Sequence, residues 1–329
     1  MRFSIIIPVF NRPGEVDELL ASLTGQTVSD FEVIVVEDGS SVSCEDVVAG
    51  YEDRLDVHYF MKPNSGPGQS RNYGVERAQG DYVLILDSDV VLPDMYISEV
   101  SKELDADPCD AFGGPDRAHP DFTRMQKAIN YGMTSFFTTG GIRGGKKKLD
   151  KFYPRSFNMG VKREVYLSLG GFSEMRFGED IDFSTRIFKA GHSCRLFPEA
   201  WVWHKRRTNL KRFFKQVHNS GIARINLTLR HPGTLKLVHL LPTLFTVVCA
   251  VLLIGEVFCL WSMAPLVLFA LIIFIDASIK EKSMGVGLRA IAAAFVQLVG
   301  YGTGFIRSWW RRMVLKKPEF EAFKKNFYK

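Results

Sequence analysis

Tyr82–Asp94 reads YVLILDSDVVLPD and places two carboxylates, Asp87 and Asp89, one residue apart at the exit of a five-residue apolar run. In a continuing strand, residues two apart share a face, so the two carboxylates can face a common point where the strand turns into its loop. An unpaired carboxylate in a dry site is costly, so the pattern asks for a cation. Oxygen donors suit hard divalent ions such as Mg2+ or Mn2+, which keep positions for phosphate oxygens. The same residues also suit a helix start at Pro93 and Asp94, so alone the pair leaves both readings open.

Other residues of matching chemistry recur along the chain. Asn64–Asn72, NSGPGQSRN, precedes a helical pattern; its glycines permit close backbone approach, and Arg71 can reach an anion from the first turns. Asp38 closes the apolar run FEVIVVED, where a carboxylate can accept from a base N–H. His204, in WVWHKRR, is either a third metal ligand or an interfacial histidine in a basic, aromatic stretch. A second acidic cluster lies in Gly178–Ile187, GEDIDFSTRI. Helical spacing puts Asp180 and Ser184 on one face, and Glu179 and Asp180 suit a helix N-terminus or its capping.

These side chains need a frame that gathers them. Phe3–Val9, Phe31–Val36, Val57–Met61 and Tyr82–Leu86 are strand-like, and Gly14–Gln26 and Gly68–Gln79 are helical. Alternation of this kind predicts an α/β fold, a mostly parallel sheet with helices on both faces. Ligands of such sheets bind beyond the carboxyl ends of the strands. Three ends carry polar groups: Pro8, Phe10 and Asn11; Glu37 and Asp38; Asp87, Ser88 and Asp89. No G-x-G-x-x-G follows the first strand, which argues against the usual dinucleotide site.

The chain resembles the family 2 glycosyltransferases of GT-A fold, over about residues 1–220. SIIIPVFNR, FEVIVVEDGS, NSGPGQSRNYGVERAQGDYVLILDSD, FNMGVKREVYLSLGGFSE and GEDIDFSTRI follow one another in the family's order. The resemblance implies that Asp38 reads the nucleobase in a pocket lined by Pro8, Phe10, Asn11 and Glu37. It implies that Arg71, Asp87 and Ser88 contact the ribose diphosphate, and that Asp89 binds Mn2+ or Mg2+ with His204 as helper. Asp180 would be the general base, Glu179 its neighbour, and Asn158, Met159, Gly160 and Trp203 would line the acceptor side. Glu37 stands where Asp is usual, which leaves the nucleobase open. Q-x-x-R-W is absent, as expected of an enzyme that adds one sugar rather than polymerising.

Charge and hydropathy divide the chain. Residues 1–200 carry 22 Lys and Arg against 31 Asp and Glu; residues 201–329 carry 20 against 5. Leu237–Ile275 has one formal charge, Glu256, and is long enough for two crossings of a ~30 Å hydrocarbon layer, at 237–255 and 263–279. Basic residues outside the pair place both outer ends in the cytoplasm. Segment 288–306 is open between a span, a re-entrant segment and an interfacial helix. The expected order is a GT-A domain over 1–208, a basic amphipathic interfacial helix over 209–233, membrane helices over 234–307 and a basic tail over 308–329. Gly140–Lys148, GGIRGGKKK, is a basic loop near donor phosphates or lipid head groups, or a plain surface loop.

Five cysteines without metal spacing fit a reduced cytosolic domain, and Phe3–Phe10 is too short for a signal peptide. The expected enzyme is therefore a multi-pass protein of the inner, cytoplasmic membrane with its catalytic domain in the cytoplasm. It moves one sugar, with inversion, from a nucleotide-diphosphate sugar to a lipid-linked or membrane-proximal glycan, against an anionic leaflet. The alternatives are a polyprenyl-phosphate glycosyltransferase and a non-catalytic nucleotide-sugar-binding scaffold. A nucleic-acid partner is disfavoured, and none is expected, because the basic charges flank apolar spans.

Overall fold

The computed structural model describes residues 1–140 and 152–319; the basic loop beyond Gly140 and the end of the tail lie outside them. Among the described residues, 1–119 with 152–205 form one compact unit, and 120–140 with 206–319 form another. In chain order the elements are β1 (Phe3–Val9), α1 (Pro13–Thr24), β2 (Phe31–Asp38), α2 (Glu45–Ala49), β3 (Val57–Lys62) and α3 (Pro67–Val75). Next come β4 (Tyr82–Leu86), β5 (Val90–Val91), α4 (Tyr96–Ala106), β6 (Ala111–Gly113), β7 (Asp116–Arg117), α5 (Arg124–Thr134) and α6 (Phe136–Thr139). The first unit ends with β8 (Asn158–Lys162), α7 (Arg163–Ser168), α8 (Glu179–Lys189), β9 (Cys194–Leu196) and β10 (Val202–His204). The second adds α9 (Leu210–Arg230), α10 (Leu241–Gly255), α11 (Ala264–Lys280) and α12 (Met284–Trp309).

The main sheet has the order β3-β2-β1-β4-β8-β6-β9. It is parallel except at β8, which runs antiparallel to both β4 and β6. The apolar runs of β1, β2 and β4 are buried on both faces, as side-chain alternation requires. Phe3, Ile5, Ile7 and Val9 pack with Val16, Leu19, Leu20 and Leu23 of α1 on one face. Ile6, Ile34, Val36, Val83 and Ile85 pack with Val75, Tyr166 and Phe183 on the other. Parallel register, with Val9 opposite Glu37 and Ile6 opposite Ile85, brings the carboxyl ends of β1, β2 and β4 to one rim. A second sheet, β5-β10-β7, sits at the continuation of β4.

The second unit is helical. Among the described residues, three helical stretches are long and apolar enough to cross a membrane, Leu237–Gly255, Trp261–Lys280 and Met284–Val314, with mean hydropathy 2.5, 2.2 and 1.5. Two features differ from the sequence expectation. Residues 120–140 leave the contiguous 1–208 domain, because Ala128, Ile129 and Met133 of α5 join a core with α11 and α12. The apolar side of α9, expected on lipid, is largely taken by α12: a Cβ at Gly221 would lie 2.7 Å from Phe305 N.

Candidate active site

The acidic pair is gathered by two strands far apart in sequence. The chain leaves β4, turns through Asp87–Asp89 and re-forms as β5, which pairs with β10 so that Val90 lies opposite His204. Lys205 N–H donates to the Asp89 carbonyl at 3.1 Å and locks that register. Ligand atoms of Asp87, Asp89 and His204 thereby fall within 4.8 Å of one another. His204 Nε2 faces Asp89 Oδ1 at 3.3 Å, and its ring stacks on Phe157 at 5.0 Å. His204 Nδ1 is buried without a hydrogen-bond partner among the described residues, with Asp116 Oδ2 at 3.7 Å. Two carboxylates and one imidazole fit a divalent ion of the Mn2+ or Mg2+ kind.

Positive charge balances these carboxylates. Arg12 Nη1 donates to Asp89 Oδ2 at 2.7 Å. Burial works against charge on His204, but Asp116 and Asp89 outweigh it and raise its pKa to about 9. A cation binding here would replace that proton and the Arg12 contact.

Arg71 joins the two acidic clusters. It is 3% exposed on α3. Its Nη2 donates to Asp87 Oδ1 at 2.7 Å, and Nη1 donates to Glu179 Oε1 at 3.3 Å. Phe172 lies under the guanidinium at 5.2 Å. Gly178 enters α8 at φ 84°, in the left-handed region, and so directs the first turn of α8 toward Arg71.

Glu179 and Asp180 are neighbours with opposite shifts. Burial, reinforced by the Asp180 charge, raises Glu179 to about 7 against the pull of Arg71. Burial pushes Asp180 up as well, but Arg155 wins and holds it below the ordinary value; Arg155 Nε donates to Asp180 Oδ2 at 2.6 Å. Asp180 Oδ1 also accepts the Ile181 N–H at 2.8 Å. Asp182 turns away, accepting from Ser173 and from Arg186.

Several residues expected to touch ligand are occupied in holding the frame. The Asp38 carboxylate accepts from Ser65 N–H at 2.8 Å, Gly66 N–H at 2.7 Å and Lys62 Nζ, so it shapes the turn into α3. Glu37 is buried under the 40–44 loop and accepts from Cys44 N–H, Ser43 and Tyr59. Asn158 donates to Ala200 O at 2.8 Å and accepts from Tyr96 at 2.7 Å. Met159 belongs to the core, and a Cβ on Gly160 would collide with the Phe112 ring. These three sit inside the sheet on β8, rather than along an acceptor surface, because β8 is a central strand covered on both sides.

The remaining expected residues lie nearer the rim. Pro8 and Ser88 are buried, and Phe10 is half-buried. Asn11, at φ 54°, accepts from Ser41 and Val42 N–H and ties the first two strand ends together. Trp203 is half-buried, edge-on to Trp201 and to His119. Sequence reasoning missed Arg12, Arg155 and Asp116. Arg12 alone had a local signal, its place directly after the first strand end.

Residues 4–170 match the family described as glycosyl transferase family 2. The chain belongs to that family. An uncharacterized glycosyltransferase of Haemophilus influenzae is 32% identical over 193 residues, 56% of this chain and 62% of that protein. A pre-mycofactocin glycosyltransferase of Mycobacterium tuberculosis is 28% identical over 70% of this chain and 48% of its own. The match spans 13% of a Rickettsia bellii glycosyltransferase, at 38% identity over 27% of this chain, so the chain aligns with only part of such relatives. Among solved structures, a Pyrobaculum calidifontis mannosyltransferase in complex with GDP-Man and Mn2+ aligns with TM-score 0.63 at 19% identity. The alignment covers 90% of this chain and 87% of that one, and shows that this glycosyltransferase shares the GT-A fold.

Proposed function

We propose that this family 2 glycosyltransferase moves a single sugar, with inversion, from a nucleotide-diphosphate sugar to a lipid-linked or membrane-proximal glycan on the cytoplasmic face of a membrane. The observation that carries the reading is the Asp87–Arg71–Glu179 bridge, which sets the Asp87–Asp89–His204 cluster, able to hold a divalent ion, beside an acidic pair at one rim. The solved mannosyltransferase with GDP-Man and Mn2+ supports a nucleotide-sugar donor and a divalent ion.

Asp87, Asp89 and His204 would hold the ion, which when bound supplies positive charge to the diphosphate. Arg71, and Arg12 once released from Asp89, present guanidinium donors to the leaving oxygens. In the reaction the acceptor hydroxyl oxygen bonds the anomeric carbon, the carbon–oxygen bond to the diphosphate breaks, and the electron pair leaves on the nucleoside diphosphate. The hydroxyl proton passes to a carboxylate of the acidic pair. The sequence names Asp180 as that base. We assign the role to Glu179 instead, because burial raises its proton affinity toward neutrality while Arg155 holds Asp180 below the ordinary carboxylate range. Attack and departure on opposite faces of the sugar invert the anomeric centre in one step.

The deciding experiment is a thermal-shift panel of UDP-, GDP- and dTDP-sugars on the full chain, with and without Mn2+. One donor class should stabilise the protein only with the ion. Stabilisation indifferent to the ion would remove the cluster from the donor site.

A further inference from the structure

The segment over Met284–Trp309 is apolar enough to span a bilayer, yet its packing does not suit a span. α10 and α11 are joined by a short turn in which Ser262 Oγ donates to the Leu252 carbonyl at 3.0 Å, so with that turn inserted in a membrane the start of α10 and the end of α11 lie on one side. The two ends rest on opposite ends of α12. At the start of α10, a Cβ on Gly302 would stand 2.6 Å from the Pro242 carbonyl oxygen, and Thr246 Oγ1 lies 3.4 Å from the Leu298 carbonyl. At the end of α11, a Cβ on Gly287 would stand 2.8 Å from the Phe274 carbonyl oxygen. Phe245, Phe269 and Phe295, one ring from each helix, meet between these points at 5.1–5.7 Å.

Gly287 and Gly302 are about 22 Å apart along a helix axis at ~1.5 Å per residue. A three-helix span would seat the start of α10 beside the start of α12. Here it sits beside the far half of α12, so two points about 22 Å apart along the helix share one membrane depth.

The other side of α12 is covered along the same length. A Cβ on Gly132 of α5 would lie 3.2 Å from the Ala293 carbonyl oxygen, and one on Gly304 would lie 2.8 Å from His218 C of α9. Those covering helices carry Arg124, Lys127, Lys211, Arg212, Lys215 and Arg224 and no Asp or Glu. A vertical α12 would drag one of them into hydrocarbon, where each charge costs roughly 2.5–3.5 kcal/mol or more. Basic residues at both ends of α12, Arg289 near one and Arg307, Arg311 and Arg312 near the other, also suit one side. Met284, Leu288, Ile306 and Trp310 remain exposed, apolar groups fit for the head-group boundary.

We propose that α12 lies in the plane of the membrane surface, a platform between the basic helices α5 and α9 and the apolar hairpin, and that both its ends stay on one side. The proposal rests on membrane association of this chain. Its test uses the full chain in sealed vesicles of known orientation, with Cys259→Ser removing the exposed native thiol. Met284→Cys and Met313→Cys, both exposed positions, are each treated with a membrane-impermeant maleimide. Both should label in the same vesicle orientation and stay protected in the other. Labelling from opposite sides overturns the proposal. If either variant fails to accumulate, Leu288→Cys and Lys317→Cys serve the same comparison. Release of the protein from vesicles by an alkaline wash would instead refute membrane association, and the proposal with it.

Discussion

Arg12 and Asp89, 77 residues apart in sequence, form an ion pair at 2.7 Å on the carboxylate that the metal reading needs most. The pair occupies Oδ2, while Oδ1 faces His204. On the proposed metal site, Arg12 would compete with a cation for Asp89 and be freed as a donor when one binds. Arg12→Gln should tighten Mn2+ binding, by up to about tenfold for each 1.4 kcal/mol of lost competition. The same change should slow transfer through the lost leaving-group contact. Mn2+ titration followed by electron spin resonance reads the first effect; unchanged affinity would show that Arg12 does not guard the site.

Asp89→Asn keeps the shape of the side chain and removes its charge. Transfer should fall by roughly 10²–10³-fold, the loss seen when one developing-charge stabiliser is removed. Donor stabilisation by Mn2+ in a thermal melt should vanish together with it. A variant that keeps ion-dependent stabilisation would move the cation site elsewhere.

On the proposed role of Glu179 as the base, its raised pKa of about 7 should set the pH dependence. As the base it must be deprotonated, so kcat/KM should rise with pH and level off above about 7. Glu179→Gln should abolish that limb. Asp180→Asn removes a charge that raises Glu179 and should shift the limb to lower pH, a direction that a purely structural role for Asp180 would not produce. The linkage to stability runs the opposite way. A folded pKa above the unfolded value near 4.3 means the contribution is present below ~4.3 and is lost as pH rises through about 7.

Asp38 and Asn158 should behave as structural residues. Asp38→Ala strands the Ser65 and Gly66 N–H groups in a buried turn, and Asn158→Ala strands the Tyr96 hydroxyl and the Ala200 carbonyl. Each should lower stability by roughly 2–6 kcal/mol, at ~1–3 kcal/mol for each of two unsatisfied groups. Urea melts measure this. A variant of normal stability that has lost only donor affinity would restore Asp38 as the nucleobase reader.

Gly304 allows α9 and α12 to touch backbone to backbone. Gly304→Leu should force the pair apart and destabilise the helical unit by more than about 3 kcal/mol, since no rotamer relieves a clash with main chain. Limited proteolysis between α9 and α10 should accelerate in membranes.

Much of the catalytic frame is visible along the chain. Strands buried on both faces must be apolar without interruption, so β1, β2 and β4 announce themselves, and the polar residues at their ends mark the rim. The Asp87–Asp89 cluster was legible for the same reason, since carboxylates directly after an apolar run have few structural excuses. Roles were less legible. Asp38, Glu37 and Asn158 sit in familiar places yet spend their hydrogen bonds on backbone and neighbouring side chains, which depends on loops distant in sequence.

The chain order alone determined the α/β alternation, the acidic front and basic back, and the lengths of the apolar segments, because each follows from local periodicity and composition. Tertiary structure decided what those segments do. Pairing of β5 with β10 brought His204 to Asp89, and the reach of Arg71 joined two acidic clusters. The seating of one hairpin on both ends of α12 turned a helix with the hydropathy of a span into one covered on two sides. Hydropathy counts residues along one helix; which way that helix runs depends on the partners that fill its grooves.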